Sequence, residues 1–225
     1  IEIMDTTLRD GEQMQGISYT PVEKLHIAAF LLKEVKVDRI EVASARVSTG
    51  EAEALKMITR WARRNDLLDK VEVLGFIDGD ISLKWIHDAG GKVINLLCKG
   101  SLRHLEKQLC KTPEQHINDI RDIIHGAEHL DMQVNIYLED WSNGMIASED
   151  YVFYMLDELK SDRIERFMLP DTLGILNPDQ THSFCRKMVE RYPSLKFDFH
   201  PHNDYDLAVA NVYEAVKAGI RGVHT

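Results

Sequence analysis

The sequence has little of what marks several protein classes. It holds three cysteines, Cys98, Cys110 and Cys185, with no C-x-x-C spacing. An odd, sparse set reads as free thiols in a reducing compartment, so a cytoplasmic location is expected. No Lys/Arg block stands out, and the net charge is −10. This argues against a nucleic-acid or membrane-surface partner, while leaving room for a local basic pocket for a phosphorylated cofactor. No apolar run is long enough to span a bilayer, and no signal peptide precedes Ile1. There is no linker, low-complexity segment or sign of a second domain. The chain opens on one apolar strand and stops at Thr225 after another, which suggests a trimmed chain. Its 225 residues suit one domain with one sizeable core.

What is present is a regular alternation. Strand-like stretches fall at 1–7, 38–44, 71–77, 92–98, 133–139, 165–169, 196–200 and 222–224. Amphipathic helical patterns lie between them, at 21–35, 51–64, 81–89, 114–130, 148–160, 178–191 and 205–218. Three helix starts carry a capping residue followed by Pro: Thr20-Pro21-Val22-Glu23, Thr112-Pro113-Glu114-Gln115 and Asn177-Pro178-Asp179-Gln180. About eight β/α alternations predict a (β/α)₈ barrel rather than an open doubly wound sheet. The strand faces add weight. In the stretch from Val134 to Glu139, Val134, Ile136 and Leu138 share one face, and Asn135, Tyr137 and Glu139 the other. Likewise Ile94, Leu96 and Cys98 oppose Asn95, Leu97 and Lys99. A sheet covered by helices on both sides should be apolar on both faces, whereas a polar face suits a barrel lumen.

The stretch Phe197-Asp198-Phe199-His200-Pro201-His202-Asn203-Asp204 carries the sharpest chemistry. Strand alternation puts His200 and His202 on one side and Phe197 and Phe199 on the other. Two imidazoles before a polar loop can hold one metal ion; the alternative is two unrelated histidines near a strand end. A carboxylate from elsewhere would complete a site with open positions for substrate. The first strand runs into Asp5-Thr6-Thr7-Leu8-Arg9-Asp10-Gly11-Glu12-Gln13. In a barrel, Asp10 is the natural carboxylate ligand, and Arg9 could stabilise an enolate or alkoxide. A capping turn with a surface ion pair would explain the same two residues. Glu139 could act as acid or base, and a hydroxyl at Thr172 could hold a carboxylate; loop capping is the plainer account of both. Lys99, Arg103 and His104 could meet a phosphate or merely open a solvated helix. His26, His87, His116, His125, His129 and His182 fall in helical patterns and are expected at the surface.

The opening motif Asp5–Gln13, with His200-x-His202-Asn203 late in the chain, resembles the metal-dependent barrel family of 2-isopropylmalate, homocitrate and citramalate synthases. Hydroxymethylglutaryl-CoA lyase is their relative. The resemblance spans the whole chain and implies a divalent metal (Mn, Zn, Co or Mg) on Asp10, His200 and His202. It further implies an α-keto acid chelated by that metal, and acetyl-CoA as co-substrate, in branched-chain amino-acid biosynthesis. Arg9 matches the arginine that stabilises enolate and alkoxide charge. Thr172 matches a contact to the keto-acid carboxylate, and Glu139 an acidic residue beside the substrate. The stretches Tyr137–Gly144 and Lys99–Leu109 are most similar to the pyruvate-using citramalate branch. There Leu74, Leu97 and Tyr137 match an apolar pocket for the pyruvate methyl, and all three fall on predicted inward strand faces. A 2-isopropylmalate synthase is the near alternative. A lyase is a further one, though the Cys-bearing Gly-rich loop of the lyases is not found. A metal-stabilised binding barrel is the non-enzymatic alternative. The resemblance also implies a homodimer. It places a further Asn-bearing loop, the last barrel helix, a linker and a regulatory domain beyond Thr225. A single catalytic barrel domain over 1–225, C-terminally truncated with an incomplete site, is therefore the expectation.

Overall fold

The structure, a computed structural model, describes residues 1–225. Eight parallel strands close into one barrel in chain order. They are β1 (Glu2–Asp5), β2 (Arg39–Ser44), β3 (Val71–Phe76), β4 (Val93–Lys99), β5 (Gln133–Glu139), β6 (Arg166–Asp171), β7 (Phe197–Pro201) and β8 (Gly222–His224). The (β/α)₈ expectation is thus met. The helices are α1 (Pro21–Phe30), α2 (Thr49–Arg64), α3 (Ile81–Asp88), the single turn α4 (Leu102–His104), α5 (Pro113–His129), α6 (Trp141–Ala147), α7 (Glu149–Leu159), α8 (Pro178–Arg191) and α9 (Ala208–Lys217). No helix is long and apolar enough to cross a membrane.

The three predicted starts are real caps. The Thr20 hydroxyl accepts the Glu23 N–H at 3.3 Å, and the Glu23 carboxylate accepts the Thr20 N–H at 2.8 Å. The pairs Thr112/Gln115 and Asn177/Gln180 repeat this reciprocal bonding. Each device satisfies two N–H groups that a helix start would otherwise leave open.

Two stretches depart from the sequence pattern. The helix expected over 21–35 is α-helical only to Phe30; Leu31–Val35 forms a π-turn, closed by Lys36 at φ 64°. Residues 141–147, which fall outside every predicted element, form helix α6 although Ser142, Asn143 and Gly144 are poor helix formers. Tertiary packing overrides that preference. Trp141 is fully buried, with its ring edge-on to Phe199 and Phe184. Gly144 passes so close to the chain at Gly100 that a methyl there would lie 2.1 Å from the Gly100 carbonyl oxygen.

Packing groups the residues into two compact units. In the unit of residues 1, 97–122 and 135–224, Leu138, Val152, Phe167, Leu169 and Phe199 are buried. Burial of each such side chain contributes about 1.5–3 kcal/mol. In this unit β6 and β7 pair over the run Phe167↔Phe197 to Asp171↔Pro201, and β7 pairs with β8 through Asp198↔Gly222. In the unit of residues 2–96, 123–134 and 225, Ile40, Val42, Leu55, Ile58, Val73 and Ile86 form the core. Both units carry buried polar pairs from strand faces. Arg39 donates to Glu72 at 3.0 Å and Asn95 to Glu41 at 2.7 Å; Arg166 meets both oxygens of Asp198 at 3.0 and 3.3 Å. Asn95 is on the polar strand face that the alternation predicted; its partner Glu41 and the other two pairs are additions that the structure reveals.

Candidate metal centre

β7 ends on the two imidazoles. His200 is 6% exposed, and the His202 N–H donates to the Asp171 carbonyl at 3.2 Å. Their rings stand edge-on, 5.0 Å between centroids, with the two Nε2 atoms 3.3 Å apart. Two N–H groups cannot face each other at that distance, so at least one lone pair points into the gap. Two imidazole nitrogens each about 2.1 Å from one cation, at about 100° to each other, are separated by this same span. Asp10 joins them: one ligand atom from each of Asp10, His200 and His202 lies within 4.8 Å of the others. The donor set and spacing fit a divalent ion.

Asp10 sits on a turn built from β1. The Thr6 carbonyl accepts the N–H groups of Arg9, Asp10 and Gly11 at 3.0, 2.8 and 3.2 Å. Arg9 is held between two carboxylates, with Nη1 on Asp10 Oδ1 at 2.8 Å and Nε on Glu41. Glu41 is fully buried on β2 and had no role in the sequence reading; an acid inside the apolar strand Ile40-Glu41-Val42 was its available signal. Lys24 on α1 anchors the turn from below. It is 1% exposed, and its ammonium donates to the Leu8 carbonyl at 2.9 Å while pairing with Glu12 and Glu51.

The other predicted residues lie as follows. Glu139 ends β5 and pairs with Lys99 at the end of β4. Lys99 is therefore committed to a carboxylate, and His104 Nε2 lies 3.4 Å from Asp140 Oδ2; only Arg103 of that basic stretch is exposed. The Thr172 hydroxyl oxygen accepts the Asp140 N–H at 2.9 Å. Tyr137 is buried, its ring edge-on to His200 at 5.7 Å. Leu74 is buried on β3, and Leu97 is half-buried on β4.

Two histidines were misjudged or missed. His116, expected at the surface, is fully buried on α5, and its Nε2 accepts the Lys99 N–H at 3.0 Å. Burial lowers its pKa to about 4. His224 on β8, given no role, has Nδ1 3.1 Å from His200 Nδ1 and 3.2 Å from the Tyr137 hydroxyl. Its signal was its position at the end of a strand, where side chains of a barrel meet substrate.

Fold and cluster define a β/α barrel that gathers a carboxylate and two imidazoles at the ends of its first and seventh strands. The chain belongs to the HMGL-like family, which it matches over residues 1–225. It is 32% identical over 225 residues to a putative (R)-citramalate synthase CimA of Methanopyrus kandleri, covering 100% of this chain and 42% of that protein. It is also 32% identical over 222 residues to a 2-isopropylmalate synthase of Polaromonas naphthalenivorans, covering 96% and 42%. The chain thus spans less than half the length of these two relatives. Among solved structures, the hydroxymethylglutaryl-CoA lyase of Pseudomonas aeruginosa aligns with a TM-score of 0.82 at 17% identity, covering 100% of this chain and 75% of that one. At that identity the likeness is one of fold.

Proposed function

We propose that the chain is the catalytic barrel of an acyltransferase that condenses acetyl-CoA with a small α-keto acid, with pyruvate as the substrate and (R)-citramalate as the product. The observation that supports it most is the approach of Asp10, His200 and His202 within 4.8 Å. The two synthase relatives support the class of reaction. Asp10, His200 and His202 would hold a divalent ion, which would supply Lewis-acid polarisation of the keto group.

The chain's own residues supply the rest. Arg9 presents fixed positive charge to the oxyanion that develops, and its pairing with Glu41 and Asp10 prevents reorientation during the reaction. The Thr172 oxygen is already used as an acceptor, so its proton is available to donate to the keto-acid carboxylate. Glu139, with Lys99 beside it, moves a proton or orients water. Leu74, Leu97 and Tyr137, which match the family's pocket positions, are assigned to the pyruvate methyl.

The second reading is a 2-isopropylmalate synthase using 2-oxoisovalerate, favoured by a relative of that name at the same identity. 2-Oxoisovalerate carries two more carbons than pyruvate, and each is worth about 1–3 kcal/mol in an apolar pocket, so the two substrates should differ by well over tenfold in kcat/KM. The test is release of free CoA from acetyl-CoA with pyruvate, 2-oxobutyrate, 2-oxoisovalerate or 2-oxoglutarate. Pyruvate is expected to be fastest. A preference for 2-oxoisovalerate overturns the pocket assignment, and cleavage of hydroxymethylglutaryl-CoA in place of condensation overturns the class.

A further inference from the structure

A chain of buried hydrogen bonds runs behind His200, away from the candidate cation position. Arg166 on β6 donates to both carboxylate oxygens of Asp198 on β7, at 3.0 and 3.3 Å. Asp198 Oδ2 lies 3.3 Å from His224 Nε2. His224 Nδ1 lies 3.1 Å from His200 Nδ1. Asp198 and His224 are 1% and 4% exposed. The place for the Asp198 carboxylate is made by Gly222, where a methyl would stand 1.9 Å from Asp198 Oδ1. The network is therefore built into the β7–β8 pair, in which Asp198 and Gly222 are direct neighbours.

The proton positions follow from the chemistry of each group. An ionised carboxylate only accepts, so the nitrogen facing Asp198, His224 Nε2, carries the hydrogen. Arg166 holds that carboxylate in place from its other side. A neutral imidazole with hydrogen on Nε2 has a lone pair on Nδ1. That lone pair faces His200 Nδ1, which must then be the donor. The Tyr137 hydroxyl, 3.2 Å away, shares the same acceptor in a three-centre arrangement. With hydrogen on Nδ1, His200 has its lone pair on Nε2, the atom that faces His202 across 3.3 Å.

We propose that His224 is a positioning residue for the metal centre: Asp198 fixes its tautomer, and it in turn fixes the tautomer and ring orientation of His200, presenting the His200 Nε2 lone pair for a divalent cation. The inference rests on the metal-dependent reading above and adds to it a relay, Arg166–Asp198–His224–His200, that prepares one ligand before any ion arrives. Ligand imidazoles held in this way by an acceptor behind them bind metal more tightly than unsupported ones.

The test has two arms. In the first, long-range proton–nitrogen correlation spectra of isotope-labelled, chelator-treated protein at mildly alkaline pH report which ring nitrogen of His200 carries the proton. Hydrogen on Nδ1 is expected; hydrogen on Nε2 overturns the proposal. In the second, Mn²⁺ and Zn²⁺ are titrated by calorimetry into the wild type, His224→Leu and His224→Gln. Loss of the acceptor in H224L should weaken binding about 10- to 100-fold, with partial recovery in H224Q, whose amide oxygen can still accept. Affinities of H224L equal to wild type overturn the proposal even when both variants fold. A wild type that binds neither ion sinks the metal-dependent reading itself, while the His200 tautomer in the apo protein still decides whether the relay exists.

Discussion

His116 makes acid sensitivity a quantitative matter. Its imidazole is buried on α5 and accepts the backbone N–H of Lys99, the residue whose ammonium pairs with Glu139. Desolvation is the main cause that lowers its pKa to about 4; Asp119 pulls the other way, and Lys111 and Lys99 add to the lowering. In the unfolded chain the same group titrates near 6.5. Above that pH both states are neutral there, and His116 adds no pH dependence. Between 6.5 and about 4 the unfolded chain takes up a proton that the folded chain refuses, so stability falls as the pH falls. The gap corresponds to about 3 kcal/mol, fully lost by the time the folded group protonates. Carboxylates titrate in the same window, so the wild type alone will not isolate the effect. His116→Gln keeps an acceptor for the Lys99 N–H and does not titrate. Urea unfolding of both proteins from neutral pH to about pH 4 should show the wild type losing about 3 kcal/mol more than the variant. Parallel stability profiles would refute the reasoning, as would a His116 ring proton that titrates near the ordinary histidine value in the folded protein.

Two further predictions concern the β1 turn. Lys24→Met leaves Glu12, Glu51 and the Leu8 carbonyl without their shared ammonium, and loss of one member of such a buried ion pair costs about 3–5 kcal/mol. Chemical denaturation should show that loss, whereas Lys24→Met at wild-type stability would mean the cluster is solvated. Arg9→Lys retains one positive charge but cannot reach Glu41 and Asp10 together; kcat is expected to drop about 10²- to 10³-fold with a smaller change in KM, in steady-state CoA release. Unchanged kcat would remove Arg9 from charge stabilisation.

Much of the architecture can be read from the chain alone, because its causes are local. The reciprocal caps at Thr20, Thr112 and Asn177 each act within three residues, and strand alternation needs only two. That alternation placed His200 with His202 and sent Phe197 and Phe199 beneath the helices, where both are buried. The approach of Asp10 to His200 and His202 could be expected only from the opening motif and its resemblance to a known family, since no local rule links residue 10 to residue 200. The partners of charged and polar side chains were not legible. Lys99 finds Glu139 forty residues away, His224 finds Asp198 across twenty-six, and His116 leaves the solvent to accept a strand-end N–H. Period and capping carry no information about distance between segments that meet only when the sheet forms. Helix α6 belongs to the same class: Trp141 is buried with its ring edge-on to Phe199 and Phe184, and that packing holds the helix against the preferences of the residues that follow. Local sequence therefore determined the elements and their faces; strand neighbours brought together by barrel closure decided which groups are buried, paired and turned toward the site.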